Sequence, residues 1–348
     1  MKFSSTLTNW YSIYKRELPW RNTKNPYNIW LSEIILQQTQ IKQGLPYYEA
    51  FTNKYPTIFD LANAEESDVL KLWQGLGYYS RARNLLVTAK RIVTEFNGEF
   101  PKSYKELIKL KGIGDYTASA IASICYDEPT AVVDGNVYRV LARYFGIETP
   151  INSTIGIKEF KALATELIDK KNPGDYNQAI MEFGARQCRP KNPDCNLCPL
   201  NASCIALQNN LIETLPIKIK KTKVSKKYFN FLVFISSDKK IIFKKRTGNG
   251  IWKNLYQFPL VETESSLHIN QFRKHSEVKS VLNGSKFEFS LYNTNDIIHK
   301  LSHQHLHTKF WIIEVDKLLE KGILISDIRK FPTSILLSNF INEFSFPV

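Results

Sequence analysis

The sequence predicts a multi-domain fold, with an all-α domain followed by an α+β domain. Three observations support this. Apolar residues recur at i, i+3 and i+4 from Thr8 to about Ala206, which is the period of an amphipathic helix. A lysine-rich stretch without this period follows, and beyond it the period becomes two, as in strands. The chain of 348 residues is also longer than one ordinary core supports.

We expect a first domain at 1–208 and a second at 228–348, joined by a basic linker at 209–227. Within the second domain, helices are predicted over Asn270–Leu282 and Thr333–Phe344, with strands rich in Phe, Ile, Val and Tyr before and between them.

The composition points to a polyanionic partner. The chain carries 47 Lys and Arg against 33 Asp and Glu, a net charge of +14, which places nucleic acid first among partner classes. No apolar run approaches the roughly 20 residues of a membrane helix, and the N-terminal stretch is charged where a signal peptide would be apolar. We therefore expect a monomer that binds no membrane and is cytoplasmic, associated with the nucleoid if bacterial.

Four of the five cysteines lie close together near the end of the α domain. Four thiolates from one short loop can surround either a tetrahedral zinc or a [4Fe–4S] cluster. A structural zinc site usually pairs two C-x2-C knuckles, and this sequence has only one, so the spacing favours the cluster; a staple without redox function stays open as an alternative. The four residues are Cys188, Cys195, Cys198 and Cys204, spaced C-x6-C-x2-C-x5-C.

The segment Ser103–Ser123 predicts a helix, a glycine hairpin and a second helix. Ser103 and Glu106 form a capping box, and Gly112 and Gly114 allow a tight turn. Free N–H groups of such a hairpin can bind a DNA phosphate without reading the base sequence. The pattern L-x-G-[IV]-G followed by small residues is typical of a helix-hairpin-helix motif, and a purely structural turn is the alternative.

Some twenty residues later, Asp134 stands just before a predicted helix, followed by Gly135 and Asn136. Alone, such an Asp is usually an N-cap. With the hairpin and the four cysteines in this order, however, the chain resembles the helix-hairpin-helix DNA glycosylase superfamily in its iron–sulfur branch. That branch includes endonuclease III-like and MutY-like enzymes.

Two further motifs distinguish these kinds of enzyme. Residues Leu18–Ile41 read LPWRNTKNPYNIWLSEIILQQTQI. This stretch resembles the motif of the MutY-like adenine DNA glycosylases at nearly every position; the family's catalytic acid falls on Glu33, with Gln37 and Gln38 on the next turn. Residues Gln74–Leu85 are similar to the family's DNA-wedge loop. The resemblance implies that Tyr78 enters the base stack there, with Gln38 also wedging.

The position after the glycine hairpin separates the two kinds of enzyme. The lyase branch carries a lysine there, which attacks the sugar as a Schiff-base nucleophile, whereas this chain has Tyr116. A phenol cannot form an imine, so we expect base release without strand cleavage. An endonuclease III-like lyase, which would also lack the second domain, is the less favoured alternative.

Residues 228–348 resemble the C-terminal domain of the same family, which is similar to Nudix hydrolases. No Nudix box of carboxylates occurs in this sequence, so we expect recognition of 8-oxoguanine without hydrolysis. The run around Ser302 and His303 is similar to the family's F-S-H loop, with Leu301 in place of Phe. A Nudix nucleotide hydrolase is the alternative that the missing box argues against.

Together, the resemblance implies a monofunctional glycosylase that excises adenine mispaired with 8-oxoguanine or guanine in duplex DNA. Glycosidic cleavage needs an acid for the leaving base and a carboxylate near the sugar cation. Family analogy gives these roles to Glu33 and Asp134, with Asn136 supporting Asp134 and Tyr116 near the sugar. It also puts further residues around the extruded adenine: Arg16, Leu18, Arg21, Trp30 and Glu182. A non-catalytic DNA-binding module would explain the charge but not the paired carboxyl groups.

Overall fold

A computed structural model describes residues 2–219, 224–276, 278, 287–316 and 322–347. The chain divides into two compact units, one of Met1–Ala64 and Arg83–Lys220, the other of Glu65–Ala82 and Lys221–Val348. The sequence-based boundaries differ from the structure at two points, and the first is that the strand Ser225–Ser236 begins inside the expected linker 209–227. Residues 65–82 were expected in the first domain but pack with the C-terminal residues, because their polar side chains bond to backbone and hydroxyl groups near residue 333. Residues 220–223 of the expected linker lie outside the described residues.

The part of the chain described up to residue 219 is helical, which confirms the all-α prediction. The helices are α1 (Lys2–Tyr14), α2 (Pro26–Leu36), α3 (Ile41–Lys54), α4 (Ile58–Ala62), α5 (Glu66–Leu72), α6 (Ser80–Phe96), α7 (Tyr104–Leu107), α8 (Asp115–Tyr126), α9 (Gly135–Phe145), α10 (Thr154–Leu167), α11 (Pro173–Arg186) and α12 (Ile205–Gln208), with 3-10 turns at Pro19–Arg21 and Asn201–Ser203.

Four helices of the first unit, α2, α8, α9 and α11, form its packed centre: α8 contacts α2 and α11, and α11 also contacts α9. Helix α2 begins where Asn25 accepts a hydrogen bond from the Tyr27 N–H at 2.9 Å, followed by Pro26 at the first helical position. Gly184 of α11 lies against the start of α9, where a Cβ would come within 2.7 Å of Cβ of Asn136. A glycine is therefore needed for α11 to approach the residues that follow Asp134.

The second unit is built on a seven-stranded mixed sheet, counted over the described residues. The strands are β1 (Ser225–Ser236), β2 (Lys240–Ile241), β3 (Lys244–Lys245), β4 (Tyr256–Gln257), β5 (Leu260–Thr263), β6 (Glu288–Leu291), β7 (Ile297–Lys300), β8 (Gln304–Val315) and β9 (Ile323–Leu324); β3 and β4 form a separate pair. The central strands β1 and β8 pair in parallel along their whole length, with Phe231 opposite Phe310. Strands β2 and β5 pair antiparallel with β1, and strands β6 and β7 with β8.

Both faces of the sheet are covered by apolar side chains. Leu232 and Trp311 face a cluster that contains Phe272, whereas Phe310 stacks on Phe340 at 4.0 Å on the other face. Phe340 lies in α14 (Ile335–Glu343), inside the predicted C-terminal helix. Of the other predicted helix, α13 (Ile269–Phe272) is present and ends at a turn at Arg273 and Lys274; residues 277 and 279–286 lie outside the described residues.

Within the described ranges, no helix is both long and apolar enough to cross a membrane.

Candidate active site

A cavity of about 740 Å³ in the first unit contains most of the residues that the sequence places around the adenine. Its lining includes residues from α2, α8, α9 and α11 and from the segment before α2. The predicted residues that line it are Arg16, Leu18, Arg21, Glu33, Gln38, Tyr116, Asp134, Asn136 and Glu182.

Glu33 is a carboxyl group held in an apolar helix. It lies on α2 among Ile29, Trp30 and Ile34, and only 8% of it is exposed. Burial raises the pKa of Glu33 from 4.5 to about 7, since removal from water disfavours the charged form; a hydrogen bond from Tyr116 partly opposes this rise. Near neutral pH, Glu33 can therefore carry a proton and give it up.

Asp134 is the N-cap of α9. Its Oδ1 accepts hydrogen bonds from the backbone N–H groups of Asn136 at 2.9 Å and Val137 at 2.8 Å, and its Oδ2 accepts one from the Asn136 amide at 2.8 Å. Burial raises the pKa of Asp134, and these hydrogen bonds act in the opposite direction by favouring the ionised form. The side chain is thus fixed with its carboxylate facing the cavity that Glu33 also lines.

Tyr116, in the first turn of α8, interacts with both carboxyl groups. Burial raises the pKa of Tyr116 well above its ordinary value, and the nearby charges of Glu33 and Asp134 raise it further. Its hydroxyl also lies 3.2 Å from Sδ of Met181. Tyr116 remains a neutral hydrogen-bond donor at physiological pH.

Glu182 lines the same cavity, but its pKa is shifted in the opposite direction to that of Glu33. It is 1% exposed and pairs with Arg16 at 2.6 Å and Arg21 at 2.7 Å. Burial alone would raise the pKa of Glu182, but the hydrogen bonds from the two guanidinium groups outweigh it and hold the pKa at about 2. Glu182 is therefore a permanent anion that orients two arginines, while Glu33 is a titrating acid.

The predicted helix-hairpin-helix is present as α7, a glycine turn and α8. Gly112 has φ of +80°, and a Cβ there would lie 2.7 Å from Cβ of Asn84, so the turn requires a glycine. At Gly114, the residue before α8, a Cβ would meet nothing within 4 Å. The backbone at the start of α8 is therefore open to a phosphate group, which helix N-termini favour.

Comparison with known proteins identifies the family. A family model described as HhH-GPD superfamily base excision DNA repair protein matches residues 31–164. The adenine DNA glycosylase of Buchnera aphidicola subsp. Baizongia pistaciae is 38% identical over 318 residues, which are 89% of this chain and 86% of that protein. This chain belongs to the adenine DNA glycosylase family. The adenine DNA glycosylase of Mus musculus is 45% identical over 215 residues, 59% of this chain and 42% of that protein.

Solved structures give the same fold for the helical part of this adenine DNA glycosylase family member. A thermostable thymine-DNA glycosylase has a TM-score of 0.55 and 30% identity, covering 60% of this chain and 95% of that one. A non-covalent Endonuclease III–DNA complex has a TM-score of 0.53 over the same shares at 22% identity, which is evidence for the fold alone.

The four clustered cysteines are all half-buried thiols. Burial and the neighbouring thiols Cys188 and Cys204 raise the pKa of Cys195, so the thiols lie near enough to interact. Arg143 contacts two of them: its guanidinium donates to Sγ of Cys188 at 3.6 Å, and its carbonyl accepts from Cys204 at 3.5 Å. Four soft sulphur donors fit a thiolate-bound iron–sulfur group. Among the described residues, no group of three or more His, Cys, Asp or Glu side chains is arranged to hold a metal ion.

A second arginine, Arg139 of α9, connects the cysteine loop to the carboxylate site. Its guanidinium donates to the carbonyl of Cys188 at 2.7 Å and to Oδ1 of Asn136 at 2.8 Å, and Asn136 in turn donates to Asp134. Sequence reasoning missed Arg139 and Arg143. The available signal was their spacing, because arginines four residues apart lie on one helix face.

Two predicted residues lie elsewhere in the first unit. Among the described residues that line the cavity, neither Trp30 nor Gln37 occurs. Trp30 is buried and packs edge-on against Phe100, with ring centroids 5.4 Å apart, while the Gln37 amide donates to Thr117 at 3.2 Å. Trp30 faces the interior because α2 is apolar on nearly all sides, whereas Gln37 follows the last residue of α2 and is half-buried.

Tyr78 stands on a tight loop of the second unit. It is 49% exposed and has φ of +46°, a left-handed conformation that costs a non-glycine residue about 1–2 kcal/mol. The loop is held from within, because Nε1 of Trp73 donates to the Gly77 carbonyl at 3.0 Å and Arg81 donates to the same carbonyl at 3.4 Å. An aromatic ring is thus held facing solvent by a constrained backbone.

Ser302 and His303 form the exposed tip of the β7–β8 hairpin in the second unit. The turn is closed by a hydrogen bond from the Leu301 N–H to the Gln304 carbonyl at 2.9 Å. The Ser302 hydroxyl lies 3.3 Å from Nδ1 of His303. Both polar groups are therefore available to a partner.

Proposed function

We propose that this chain excises adenine from A:8-oxoguanine and A:G mispairs in duplex DNA, as a monofunctional glycosylase of base excision repair. One observation carries the proposal most directly. In a member of the adenine DNA glycosylase family, a carboxyl group with a pKa near 7 and a second, hydrogen-bonded carboxyl group line one cavity.

The chemistry divides between these two groups. Glu33 gives its proton to N7 of adenine, and the C1′–N9 bond breaks with its electron pair passing to the base. The Asp134 carboxylate stabilises the positive charge that develops on the sugar. Water then adds to C1′, its proton returns to a carboxylate, and an abasic site remains.

Monofunctional action follows from the residue at position 116. Tyr116 holds the place of the lyase branch's lysine, and a phenol forms no imine with C1′. Lys42 is an exposed side chain that also lines the cavity. Borohydride trapping tests this directly: wild type and Lys42→Ala should both give no covalent DNA complex, and a trapped complex lost in Lys42→Ala would show lyase chemistry.

We assign lesion recognition to the second unit, as a Nudix-like domain that reads without hydrolysing. 8-Oxoguanine differs from guanine at N7–H and O8. The exposed Ser302 hydroxyl can accept from N7–H and the His303 ring can donate to O8. This assignment depends on the hairpin tip and on the family likeness of the chain.

We also propose that Cys188, Cys195, Cys198 and Cys204 hold a [4Fe–4S] cluster. When bound, such a cluster would cross-link the loop and could exchange an electron, and stoichiometric zinc in the purified protein would contradict it. Duplex DNA is the proposed partner, bound by a monomer in the cytoplasm, with the Gly112–Gly114 turn on a phosphate.

The decisive experiment incubates the purified chain with an A:8-oxoguanine duplex and scores abasic sites with and without alkali. We expect strand breaks only after alkali. Breaks without alkali, or no adenine release, would overturn the proposal, and a T:G duplex serves as the control substrate.

A further inference from the structure

The Tyr78 loop is attached to the start of helix α14 by a set of side-chain hydrogen bonds. The Gln74 amide donates from Nε2 to the Ser338 hydroxyl at 3.0 Å, and its Oε1 accepts from the backbone N–H of Thr333 at 3.2 Å. The buried Tyr79 hydroxyl donates to the Thr333 carbonyl at 3.0 Å. Residues on both sides of the exposed ring are therefore bonded to the same short stretch of chain.

The stretch that receives these bonds is itself fixed. Thr333 and Ser334 are almost fully buried, and Ser334 caps α14 by accepting from the Leu337 N–H at 3.4 Å. Lys71 adds to the attachment, since its ammonium group donates to the Phe331 carbonyl at 3.3 Å and to Oε1 of Gln74 at 3.2 Å. The loop is thus braced against a helix start and not against a mobile segment.

From these contacts we infer that Gln74 and Tyr79 are positioning residues that hold Tyr78 ready to enter the base stack, using Thr333 and Ser338 as anchors. This inference rests on the proposed glycosylase function and on the wedge role that the family resemblance implies for Tyr78. It gives the C-terminal residues a second task besides reading 8-oxoguanine, since the same compact unit contains the Tyr78 loop and the Ser302–His303 tip. This second task does not depend on the identity of the opposing base.

The physical reason is preorganisation. A wedge acts only if it is stiff, because a ring that can fold back offsets less of the unstacking free energy that base extrusion costs. Tyr78 already has an unfavourable backbone angle, and a loop without its anchors would relax from it. Loss of the anchors should therefore slow extrusion while leaving the acid chemistry intact.

The test uses a double variant that carries both Gln74→Leu and Tyr79→Phe, which removes the anchoring bonds at nearly constant shape. Its control is the single variant Glu66→Ala. Glu66 is the matched control because it bonds to Asn254, at the other end of the same segment. Extrusion is followed by the fluorescence of 2-aminopurine placed beside the mispair, and excision by single-turnover rates. Thermal unfolding verifies folding of each variant.

We expect the double variant to slow extrusion and excision about tenfold on A:G and A:8-oxoguanine alike, while Glu66→Ala stays near wild type. Excision of adenine opposite an abasic site, where there is no pair to break, should change much less. Three outcomes would each refute the positioning role. They are an unchanged extrusion rate in the double variant, a changed ratio of its excision rates on A:G and A:8-oxoguanine, and an equal loss of rate in Glu66→Ala. Tyr78→Ala separates the two proposals: if it leaves extrusion unchanged, the wedge function itself is wrong.

Discussion

Replacing Glu33 by glutamine should abolish excision and, at the same time, make the protein more stable at neutral pH. The amide has the same shape but cannot donate the proton that the departing adenine needs. General acid catalysis contributes about 10²–10⁴-fold, so we expect single-turnover excision to fall by at least about 100-fold. Binding to the mispair should remain nearly intact.

The gain in stability follows from the raised pKa. Folding raises the pKa of Glu33 from 4.5 to about 7, so the unfolded chain ionises first as the pH rises. The carboxyl group therefore destabilises the folded state progressively above pH 4.5, and the cost is complete above pH 7. At about 1.4 kcal/mol per pH unit, this cost reaches about 3 kcal/mol, which the neutral amide avoids.

The assay is urea unfolding of wild type and Glu33→Gln at about pH 5.5 and about pH 8. The linkage predicts that the stability advantage of the variant grows by about 2 kcal/mol between these conditions. The excision rate of the wild type should fall as the pH rises above about 7, because the protonated acid is then depleted.

Glu182→Gln is the matched control in the same cavity. Folding lowers the pKa of the wild-type Glu182 carboxyl group from 4.5 to about 2. The carboxylate therefore stabilises the folded state above pH 4.5, and this effect is lost as the pH falls towards 2. Glu182→Gln should thus destabilise the folded state by up to roughly 3 kcal/mol, the opposite sign, because the guanidinium groups of Arg16, 35% exposed, and Arg21, 10% exposed, lose their anion. A Glu33→Gln variant that is no more stable than wild type at pH 8, or that retains excision, would refute the reasoning.

Three further predictions follow from the other groups. Asp134→Asn should keep its α9 cap, since the amide oxygen still accepts two N–H bonds, yet lose at least about 100-fold in single-turnover excision; wild-type excision would contradict the cation-stabilising role. Anaerobically purified wild type should contain iron and absorb broadly near ~400 nm, and Cys198→Ser should lose both; a colourless active protein with stoichiometric zinc would contradict the cluster. Ser302→Ala with His303→Ala should lower the preference for A:8-oxoguanine over A:G by about tenfold or more in paired excision assays, with an unchanged ratio counting against the reader assignment.

Local sequence patterns predicted local structure well. Asn25 followed by Pro26 marks the start of α2, and the loss of helical period near residue 209 marks the end of the helical region. The parallel pairing of β1 with β8 could not be predicted in this way. The paired residues Ser225 and Gln304 are almost 80 positions apart, and alternation states which face is buried but not which strand lies alongside.

The candidate site was likewise predictable from the sequence only in part. Motif likeness located Glu33 and Asp134, which the fold brings to one cavity. The raised pKa of Glu33 and the hydrogen bonds that hold Asp134 were not readable from the motif, because burial by α2 and capping of α9 are properties of the assembled unit. The place of Trp30 beside the adenine stays a prediction; its ring is buried against Phe100, a contact that the motif alone does not indicate.

The membership of residues 65–82 in the C-terminal unit has a consequence for how the protein is made. Gln74 precedes Thr333 by 259 residues, a distance that takes roughly 13–50 s to synthesise at about 5–20 residues per second. The loop therefore leaves the ribosome long before Thr333 and Ser338 have been synthesised. The helices of the first unit that flank the loop are also synthesised before these anchors. The second unit can therefore be completed only after residue 333 has been synthesised, and a C-terminal fragment expressed alone would lack residues 65–82, which bond to Thr333 and to Ser338 of α14.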